Sequence, residues 1–358
     1  MSSFGSPAPT TSLSKTPTAA RPHSRVRRAL FAATGAAALT VTLAVGLTAS
    51  AADRATAATA PPGTSTTAGY LLAGGPFAGR ALYVDPRSTA AVAAAAAGGT
   101  NAALNRLASV PQATWLVGGT ATQAANTVRT EVVAAAPSGA VTEFVVYDLP
   151  NRDCSGGQSA GGATETAAYQ TYVSAVSAAL KGAHAIVVLE PDALADLGCL
   201  NAAGQTSRLG LLKWAVQRLV QPGVQVYLDA GHSGWQTSST MADRLIKAGI
   251  YYARGFALNV SNFDATGSEI AYGTKISGMV GWKRFVVDTS RNGSKTATGV
   301  WCNPTGATTG ALPGTATGTA AADALLWIKH PGESDGTCGT STASAGTFDA
   351  GLAGSLAG

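Results

Sequence analysis

Short, continuous apolar runs recur along this chain and constrain its fold more than any other feature of the sequence. They are Ala81–Val84, Thr114–Val117, Thr142–Tyr147, Ala185–Leu189, Val224–Leu228, Gly255–Asn259, Arg284–Val287 and Ala324–Ile328. Most of these runs do not alternate apolar and polar residues, which is the pattern of parallel strands that are buried on both faces. The sequence therefore predicts a parallel sheet with both faces covered.

Helical patterns lie between these runs. Thr164–Leu180 carries an apolar residue at every fourth position behind Thr164, which can cap the helix, and Arg208–Val220 also has an apolar side. About eight such β-α units predict a barrel. A doubly wound open sheet is the alternative, but no glycine-rich phosphate loop follows the first strand. We therefore expect an α/β fold, a (β/α) barrel of mainly parallel strands in a single domain.

Polar side chains follow the predicted strands at their carboxyl ends. These residues are Asp153, Asp192, Asp229, Asn259, Asp288 and Lys329. The active sites of parallel barrels lie at this end of the strands. Asp153 and Asp192 are acids that each come shortly after a buried run, and paired carboxylates at such positions indicate glycoside hydrolysis.

The segments around these two acids resemble the two signature motifs of glycoside hydrolase family 6, whose members are cellulases. The two motifs are Val145–Cys154 and Val187–Leu194. Three further segments match the family in its order, and they are Leu228–Trp235, Trp301–Pro304 and Trp327–Gly336. The resemblance extends from about Gly69 to the C-terminus. It implies a distorted barrel with fewer closed strands than the common eight, and no cofactor.

The resemblance implies catalytic roles for four polar residues. Asp192 would be the proton donor, which requires a pKa raised by burial or by a neighbouring negative charge. Asp153 would raise that pKa and, with Ser159, hold the attacking water. Asp335 matches the debated catalytic base of the family.

Each of these residues also has a structural interpretation. Asp192 could cap the helix that follows it, and Asp153 could form an ion pair with the adjacent Arg152. Ser159 could be a simple loop hydroxyl. Asp335 could be a turn acid before glycine that is neutralised by Lys329 or Arg291.

Aromatic residues are predicted to contact the sugar. Tyr147 is expected to lie beneath the reacting sugar and to help distort its ring, and its alternative is a half-buried strand aromatic. Trp235 and Trp301 stand among glycine or polar residues, which favours exposed faces that stack on sugar C–H groups. Trp214 and Trp327 lie within apolar patterns and are assigned to the core.

Further substrate contacts are expected from polar residues near the motifs. They are Lys329, Glu333, Asp229, His232, Asn259 and Arg291. A histidine beside glycines is often a structural hydrogen-bonding group, so that alternative stays open for His232.

Four cysteines follow the N-terminal segment, and an even number in an exported chain predicts two disulfides. The sequence alone allows three pairings. The resemblance favours Cys154 with Cys199 and Cys302 with Cys338. A metal site is disfavoured because the chain has no Cys-x-x-Cys motif and few histidines.

Residues 1–51 are predicted to be an export signal. Arg25–Arg28 precede an apolar run through Leu47, and Ala49–Ala51 has the small-x-small pattern of a signal-peptidase site. An uncleaved membrane anchor is the alternative because the run is long, and the twin arginines also fit a twin-arginine leader. Residues 52–68 are rich in Ala, Thr and Pro and are expected to be a linker, with residues 69–358 as the catalytic barrel.

The composition of 46% hydrophobic and 12% charged residues predicts a compact protein with a large core. The net charge of +5 comes partly from the arginines of the leader. The rest of the chain is close to neutral, so no nucleic-acid partner is predicted.

Together these features predict a secreted, monomeric β-1,4-glucanase that cleaves internal bonds of cellulose-type glucans with inversion. Exo-acting members of the family carry long insertions that roof the cleft, whereas Asp153–Asp192 and Trp301–Cys338 are short here. A cellobiohydrolase is the first alternative. A non-catalytic glucan-binding protein is the second alternative. Such a protein would need no acids, so the presence of Asp153, Asp192 and Asp335 argues against it. No stable membrane association is expected after removal of the signal.

Overall fold

The computed structural model describes residues 70–297 and 299–358. The predicted export signal and linker lie outside the described residues. Among the helices that are described, none combines the length and the apolar character that crossing a bilayer requires.

Seven parallel strands form one curled sheet within the described residues, and their order in the sheet is their order in the chain. The strands are β1 (Thr114–Val117), β2 (Thr142–Tyr147), β3 (Ala185–Leu189), β4 (Val224–Asp229), β5 (Gly255–Leu258), β6 (Arg284–Asp288) and β7 (Ala322–Leu326). Each strand pairs with the next in parallel register. The expectation of an α/β fold, a distorted barrel with fewer closed strands than the common eight, is confirmed, and the sheet curls into an incompletely closed barrel.

Eight α-helices are present in the part of the chain that the structure describes. They are α1 (Thr89–Ala96), α2 (Ala102–Ala108), α3 (Ala121–Ala135), α4 (Thr166–Ala179), α5 (Ala202–Leu219), α6 (Ser238–Lys247), α7 (Thr266–Met279) and α8 (Ala350–Ala357). Local sequence sets several helix starts. The N-terminus of α3, for example, is a capping box in which Thr120 and Gln123 satisfy each other's backbone N–H groups.

Strand residues alternate between two apolar cores. Phe144 and Val146 of β2 pack toward the helices, whereas Val145 and Tyr147 pack inside the barrel. Side chains point to opposite faces along a strand, so a strand buried on both faces reads as a continuous apolar run. A third core holds the fully buried Trp327 between α1, α2 and α8.

The edge strands β1 and β7 meet just beyond their paired residues. The Ala113 N–H donates to the Trp327 carbonyl at 3.1 Å, and the Trp115 indole donates to the Ile328 carbonyl at 2.8 Å. These contacts define the seam of the barrel.

Three local predictions were wrong. Ala81–Val84 is not a strand, because it makes only isolated bridges, Leu71 to Ala81 and Leu82 to Val141. The last strand begins and ends two residues earlier than predicted, and its register against β6 shifts between Phe285 and Val286. The cap of α4 is Glu165 rather than Thr164, and Glu165 makes no side-chain capping bond.

Candidate active site

A cleft of about 550 Å³ opens at the carboxyl ends of the strands. Ten of the predicted site residues line it, namely Tyr147, Asp153, Ser159, Asp192, His232, Trp235, Trp301, Lys329, Glu333 and Asp335. They come from the end of β2, from the segments that follow β2, β3, β4 and β7, and from the long connection after β6. The parallel sheet therefore brings together side chains that are far apart in the sequence.

Asp192 lies in the turn after β3 with a left-handed backbone, φ 68°. Its backbone N–H donates to Asp229 Oδ1 at 2.9 Å. Burial, followed by the negative charges of Asp229 and Asp153, holds the pKa of the Asp192 carboxyl well above its usual range, and a hydrogen bond from Tyr147 only partly opposes this. The surroundings of Asp192 therefore favour the protonated form of a carboxyl that faces the cleft.

Asp229 ends β4 behind the cleft wall, where its side chain is almost completely buried. One carboxyl oxygen accepts the backbone N–H groups of Asp192 and Gly231, each at 2.9 Å. Its other oxygen has no protein partner. Burial raises the pKa of Asp229 to about 7 despite these two bonds. Asp229 therefore fixes the backbone of Asp192 and also influences its charge.

Asp153 lies in the loop after β2, and its carboxylate accepts the Ser159 backbone N–H at 2.6 Å. Gly157 passes so close to this carboxylate that a β-carbon at position 157 would lie 2.0 Å from Asp153 Oδ1. The neighbouring Arg152 donates instead to the carbonyls of Tyr147 and Ser159, at 2.6 and 2.8 Å. Arg152 thus folds the loop, and the carboxylate of Asp153 stays available to the cleft.

A disulfide and a buried arginine join the loops that carry the two acids. Cys154 is bonded to Cys199. The Arg208 guanidinium, on α5, donates to the Asn151 carbonyl at 2.7 Å and to the Ala193 carbonyl at 3.3 Å. The Asp153 and Asp192 loops are therefore held against one helix.

A second disulfide, Cys302 to Cys338, closes the loops on the other side of the cleft. The prediction of two disulfides is confirmed. Cys154, Asp196 and Cys199 form the one group of metal-ligand residues found close together in the described chain, but both sulfurs are used in a disulfide.

Asp335 is bound rather than free. Arg291 Nη1 donates to both of its carboxylate oxygens, at 2.8 and 2.9 Å, and the Asn303 backbone N–H donates to one of them at 3.0 Å. Arg291 is 1% exposed and also lies over the Phe263 ring at 4.3 Å from its centroid. The structure therefore gives Asp335 the ion pair with Arg291 that was its structural interpretation, while one side of the carboxylate still borders the cleft.

Tyr147, Trp115 and Lys329 form the floor of the cleft near the seam. The Trp115 and Tyr147 rings meet edge to face at 5.5 Å, and the Lys329 ammonium lies 5.4 Å from the Trp115 ring centroid. Burial raises the pKa of the Tyr147 hydroxyl, and the charges of Asp192 and Asp153 add to that effect. Tyr147 is therefore a neutral hydroxyl that hydrogen-bonds Asp192 and lies within electrostatic reach of Asp153.

Glu333 carries a fixed negative charge at the same end of the cleft. Burial alone would raise its pKa, but His330, Lys329 and Thr89 together lower it to about 2. The Lys329 ammonium lies 3.5 Å from Glu333 Oε2. These two residues present one positive and one negative group to a ligand.

Trp301 and Trp235 are the most exposed predicted platforms. Trp301 is 49% exposed and Trp235 is 38% exposed, although both line the cleft. His232 packs against Trp235 with ring centroids 5.5 Å apart, and its Nδ1 lies 2.8 Å from Asp264 Oδ2. An exposed indole in a cleft can stack on the apolar face of a sugar.

Three predicted substrate contacts do not line the cleft, namely Asp229, Asn259 and Arg291. Asn259 is fully buried and donates to the carbonyls of Asp264 and Asp288. A strand-end position is shared by side chains that reach the cleft and by side chains that brace the loops beneath it. The sequence pattern could not separate these two groups, and the three residues support the site from behind.

Trp115, Gln158 and Asn262 line the cleft but were not predicted. Trp115 pairs in register with Val145, which faces the barrel interior, so strand alternation could have identified it. Gln158 and Asn262 lie in irregular loops and carry no comparable signal.

Strained backbone is concentrated around this cleft. The non-glycine residues with positive φ are Asn151, Asp153, Glu190, Asp192, Asn259, Ser261, Trp282 and Asn303. All but Trp282 belong to the loops that build the site or to the residues beneath it. Such conformations cost free energy and tend to cluster at functional sites.

The sequence profile of glycosyl hydrolases family 6 matches residues 77–358. The chain belongs to this family. The family 6 match spans every cleft residue from Trp115 to Asp335, and it confirms the resemblance seen in two short motifs and three further segments.

Relatives within family 6 are similar over most of the described chain. Endoglucanase A of Cellulomonas fimi is 45% identical over 258 residues, which are 72% of this chain and 56% of that protein. Endoglucanase 1 of Streptomyces halstedii is 41% identical over 278 residues, covering 74% of this chain and 85% of that protein. This chain thus spans little more than half the length of the Cellulomonas relative.

A solved family 6 structure agrees with the fold. The endoglucanase Cel6 of Mycobacterium tuberculosis, in complex with methyl-cellobiosyl-4-deoxy-4-thio-β-D-cellobioside, superposes with a TM-score of 0.75 at 44% identity. The likeness covers 78% of this chain and 97% of that one.

Proposed function

We propose that this chain is a secreted endo-β-1,4-glucanase that hydrolyses cellulose-type glucans with inversion of the anomeric centre. The observation that carries the proposal is the environment of Asp192. A carboxyl whose protonated form is favoured by burial and by neighbouring acids, and which is open to a cleft with exposed tryptophans, is suited to protonate a glycosidic oxygen.

In the proposed reaction Asp192 gives its proton to the leaving oxygen as the C1–O bond breaks. A water then bonds to C1 from the opposite side of the sugar ring and loses a proton. Asp153 and the Ser159 hydroxyl would orient that water. Because Asp335 is paired with Arg291, we assign it the role of receiving the proton through a chain of waters rather than directly.

Glu190 is a poor candidate for a covalent nucleophile. It is 1% exposed, and its carboxylate accepts the backbone N–H groups of Asp148 and Leu149. It is also absent from the residues that line the cleft. This supports an inverting mechanism, in which water is the nucleophile.

Action on internal bonds is supported by the exposed Trp301 and Trp235 and by the names of the two bacterial relatives, both endoglucanases. The substrate class is supported by the cellobiose-based ligand in the Mycobacterium structure. We also propose that the protein is a monomer that needs no cofactor and that it binds neither nucleic acid nor, in a stable way, a membrane.

The experiment that tests the activity uses soluble carboxymethylcellulose. An endo-acting enzyme lowers the viscosity quickly while few reducing ends appear, and the Asp192→Ala variant serves as the inactive control. Reducing ends that accumulate with little loss of viscosity would favour the cellobiohydrolase. Binding without either change would favour the non-catalytic alternative.

The stereochemistry is tested by proton NMR of a fresh digest. Direct attack by water on a β-linked glucan releases the α-anomer first, before mutarotation. Initial release of the β-anomer would exclude inversion.

Export is proposed from the sequence of residues 1–51 and is supported by the two disulfides. Sequencing the N-terminus of the protein recovered from culture medium tests it, with the expected start near Ala52. Recovery of the intact chain in the membrane fraction would indicate the anchor instead.

A further inference from the structure

His330 lies at the barrel seam, between the end of β7 and the residue before β1. Its Nε2 is 2.6 Å from the Ala113 carbonyl oxygen, and its Nδ1 is 2.6 Å from Glu333 Oε1. The side chain is 13% exposed. It does not line the cleft, although Lys329 and Glu333 on either side of it do.

Both partners of the His330 ring are acceptors. A carbonyl oxygen has no proton to donate, and Glu333 is ionised because its pKa is lowered to about 2. A neutral imidazole has a single N–H, whereas an imidazolium has two. Two short contacts to two acceptors therefore require the protonated ring.

The protonated ring holds a cleft residue in place. Glu333 Oε1, which accepts from His330, also accepts the Thr89 hydroxyl at 3.1 Å, and Oε2 faces the Lys329 ammonium. Without the bond from His330, the Glu333 carboxylate would be free to turn toward Lys329 or away from the cleft. The ring thus links the seam to the two charged groups that meet a ligand.

We propose that His330 is a positioning residue: as an imidazolium it fixes Glu333 and Lys329 to hydrogen-bond the hydroxyls of a bound glucan unit, and its deprotonation weakens substrate binding. This inference rests on the proposed function, which supplies the sugar ligand. It adds a residue to the binding machinery that does not itself touch the ligand.

The charges around the ring set the direction of the pH effect. Burial lowers the pKa of His330, the charge and hydrogen bond of Glu333 raise it, Lys329 lowers it, and the net result is a raised pKa. Glu131 on α3 also lies within electrostatic reach, and it is in turn influenced by Asp85 and Arg87. Binding should therefore be strongest below the pKa of His330 and weaken as the pH rises through it.

The first experiment observes the ring directly. Nitrogen-15 NMR of the free protein at about pH 6 is expected to show protons on both ring nitrogens of His330. One protonated nitrogen would overturn the proposal. This measurement does not depend on any enzymatic activity, so it is decisive even if the chain proves not to be a glucanase.

The second experiment measures binding of cellotetraose by calorimetry, with Asp192→Ala as background so that the ligand persists. Adding His330→Gln, which is neutral, is expected to weaken binding about tenfold below the pKa of His330 and to remove its pH dependence. On the otherwise native enzyme, His330→Gln should raise KM by a similar factor and change kcat less than about twofold.

Two control variants distinguish the effect of His330 on binding from the effects of other titrating residues. His184→Gln replaces a histidine that packs against Phe77, away from the cleft, and should leave binding unchanged. Glu131→Gln removes a second group near His330, the Glu131 carboxyl, whose pKa is about 7. The pH dependence of binding should persist in this variant. The proposal is overturned if His330→Gln keeps native affinity and pH dependence, or if Glu131→Gln abolishes that dependence.

Discussion

Two carboxyls in this site differ in their protonation because their neighbours differ, although the chemical group is the same. Asp192 and Glu333 are both carboxyls in buried surroundings. Asp192 has acids around it and a pKa well above its usual range, whereas Glu333 has His330 and Lys329 beside it and a pKa of about 2. The neutral form of Asp192 is therefore favoured, whereas Glu333 is an anion at neutral pH.

Replacing Asp192 with alanine should lower turnover by a factor of about 10²–10⁴ on unactivated cello-oligosaccharides, since the proton for the leaving oxygen is lost. Aryl cellobiosides with good leaving groups need no proton and should lose much less. Steady-state kinetics on both substrates provide the measurement. Equal losses would remove Asp192 from the donor role.

Replacing Asp229 with asparagine tests the source of the raised pKa. The charge of Asp229 raises the pKa of Asp192, so its removal should lower that pKa and move the alkaline limb of the kcat/KM profile to lower pH. Asparagine keeps an oxygen for the Asp192 N–H, which limits structural change. An alkaline limb that stays in place would show that Asp229 acts through the backbone alone.

At the scale of elements, the acids are carried by irregular loops that regular elements hold in place. The Asp153 and Asp192 loops are fastened to α5 by Arg208 and to each other by Cys154–Cys199. The loop of Asp335 is fastened by Cys302–Cys338. Loops of this kind can be irregular and still hold a fixed geometry.

The Gly157→Ala variant tests how closely the first loop is packed. The added carbon would meet the Asp153 carboxylate, so the carboxylate must move and kcat should fall at least about tenfold. Gly210→Ala is the matched control, since it lies on α5 with open space around it, and it should retain activity. Full activity in Gly157→Ala would show that the position of Asp153 is not critical.

Removing the Cys302–Cys338 bond by a double serine variant should reduce the free energy of unfolding by about 2–4 kcal/mol, because the loop becomes free in the unfolded chain. Denaturant unfolding of the variant and the parent measures this. A titration that finds four free thiols in the unfolded, unreduced parent would contradict the prediction.

Over the whole molecule, buried carboxyls make stability depend on pH. Burial raises the pKa of Glu131 to about 7, and of Glu143 and Glu190 to about 8, from 4.5. The folded state therefore favours their protonated forms. Their contribution to stability is complete below about pH 4.5 and is lost as the pH rises through about 7–8.

The thermal midpoint should accordingly fall by several degrees between about pH 5 and about pH 9. Glu143→Gln should make this decline shallower. Both carboxyl oxygens of Glu143 are buried without a protein partner, so ionising this group at high pH destabilises the fold, and glutamine does not ionise. Differential scanning calorimetry across this range checks both statements. A midpoint that is constant, or that rises with pH, would contradict them.

The sequence predicted the sheet well because burial on both faces produces continuous apolar runs. It predicted the acids because they follow those runs. It could not tell that Arg291 and Asn259 lie beneath the cleft. Whether a side chain after a strand lines the cleft or is buried below it depends on the conformation of the loop, which the strand pattern does not specify. The strand predicted at Ala81–Val84 was wrong for a similar reason. Strand formation requires a neighbouring strand to pair with, and this segment makes only isolated bridges to Leu71 and Val141.

The seam has a consequence for how the molecule behaves among its own copies. An incompletely closed barrel keeps two edge strands, and exposed edges can pair with other chains. Here β1 is short, the Trp115 indole covers the Ile328 carbonyl, and His330 covers that of Ala113. Trp115, which lines the cleft, and His330 behind it therefore also cover backbone carbonyls at the sheet edges, which leaves fewer of them free to pair with a second copy of the chain.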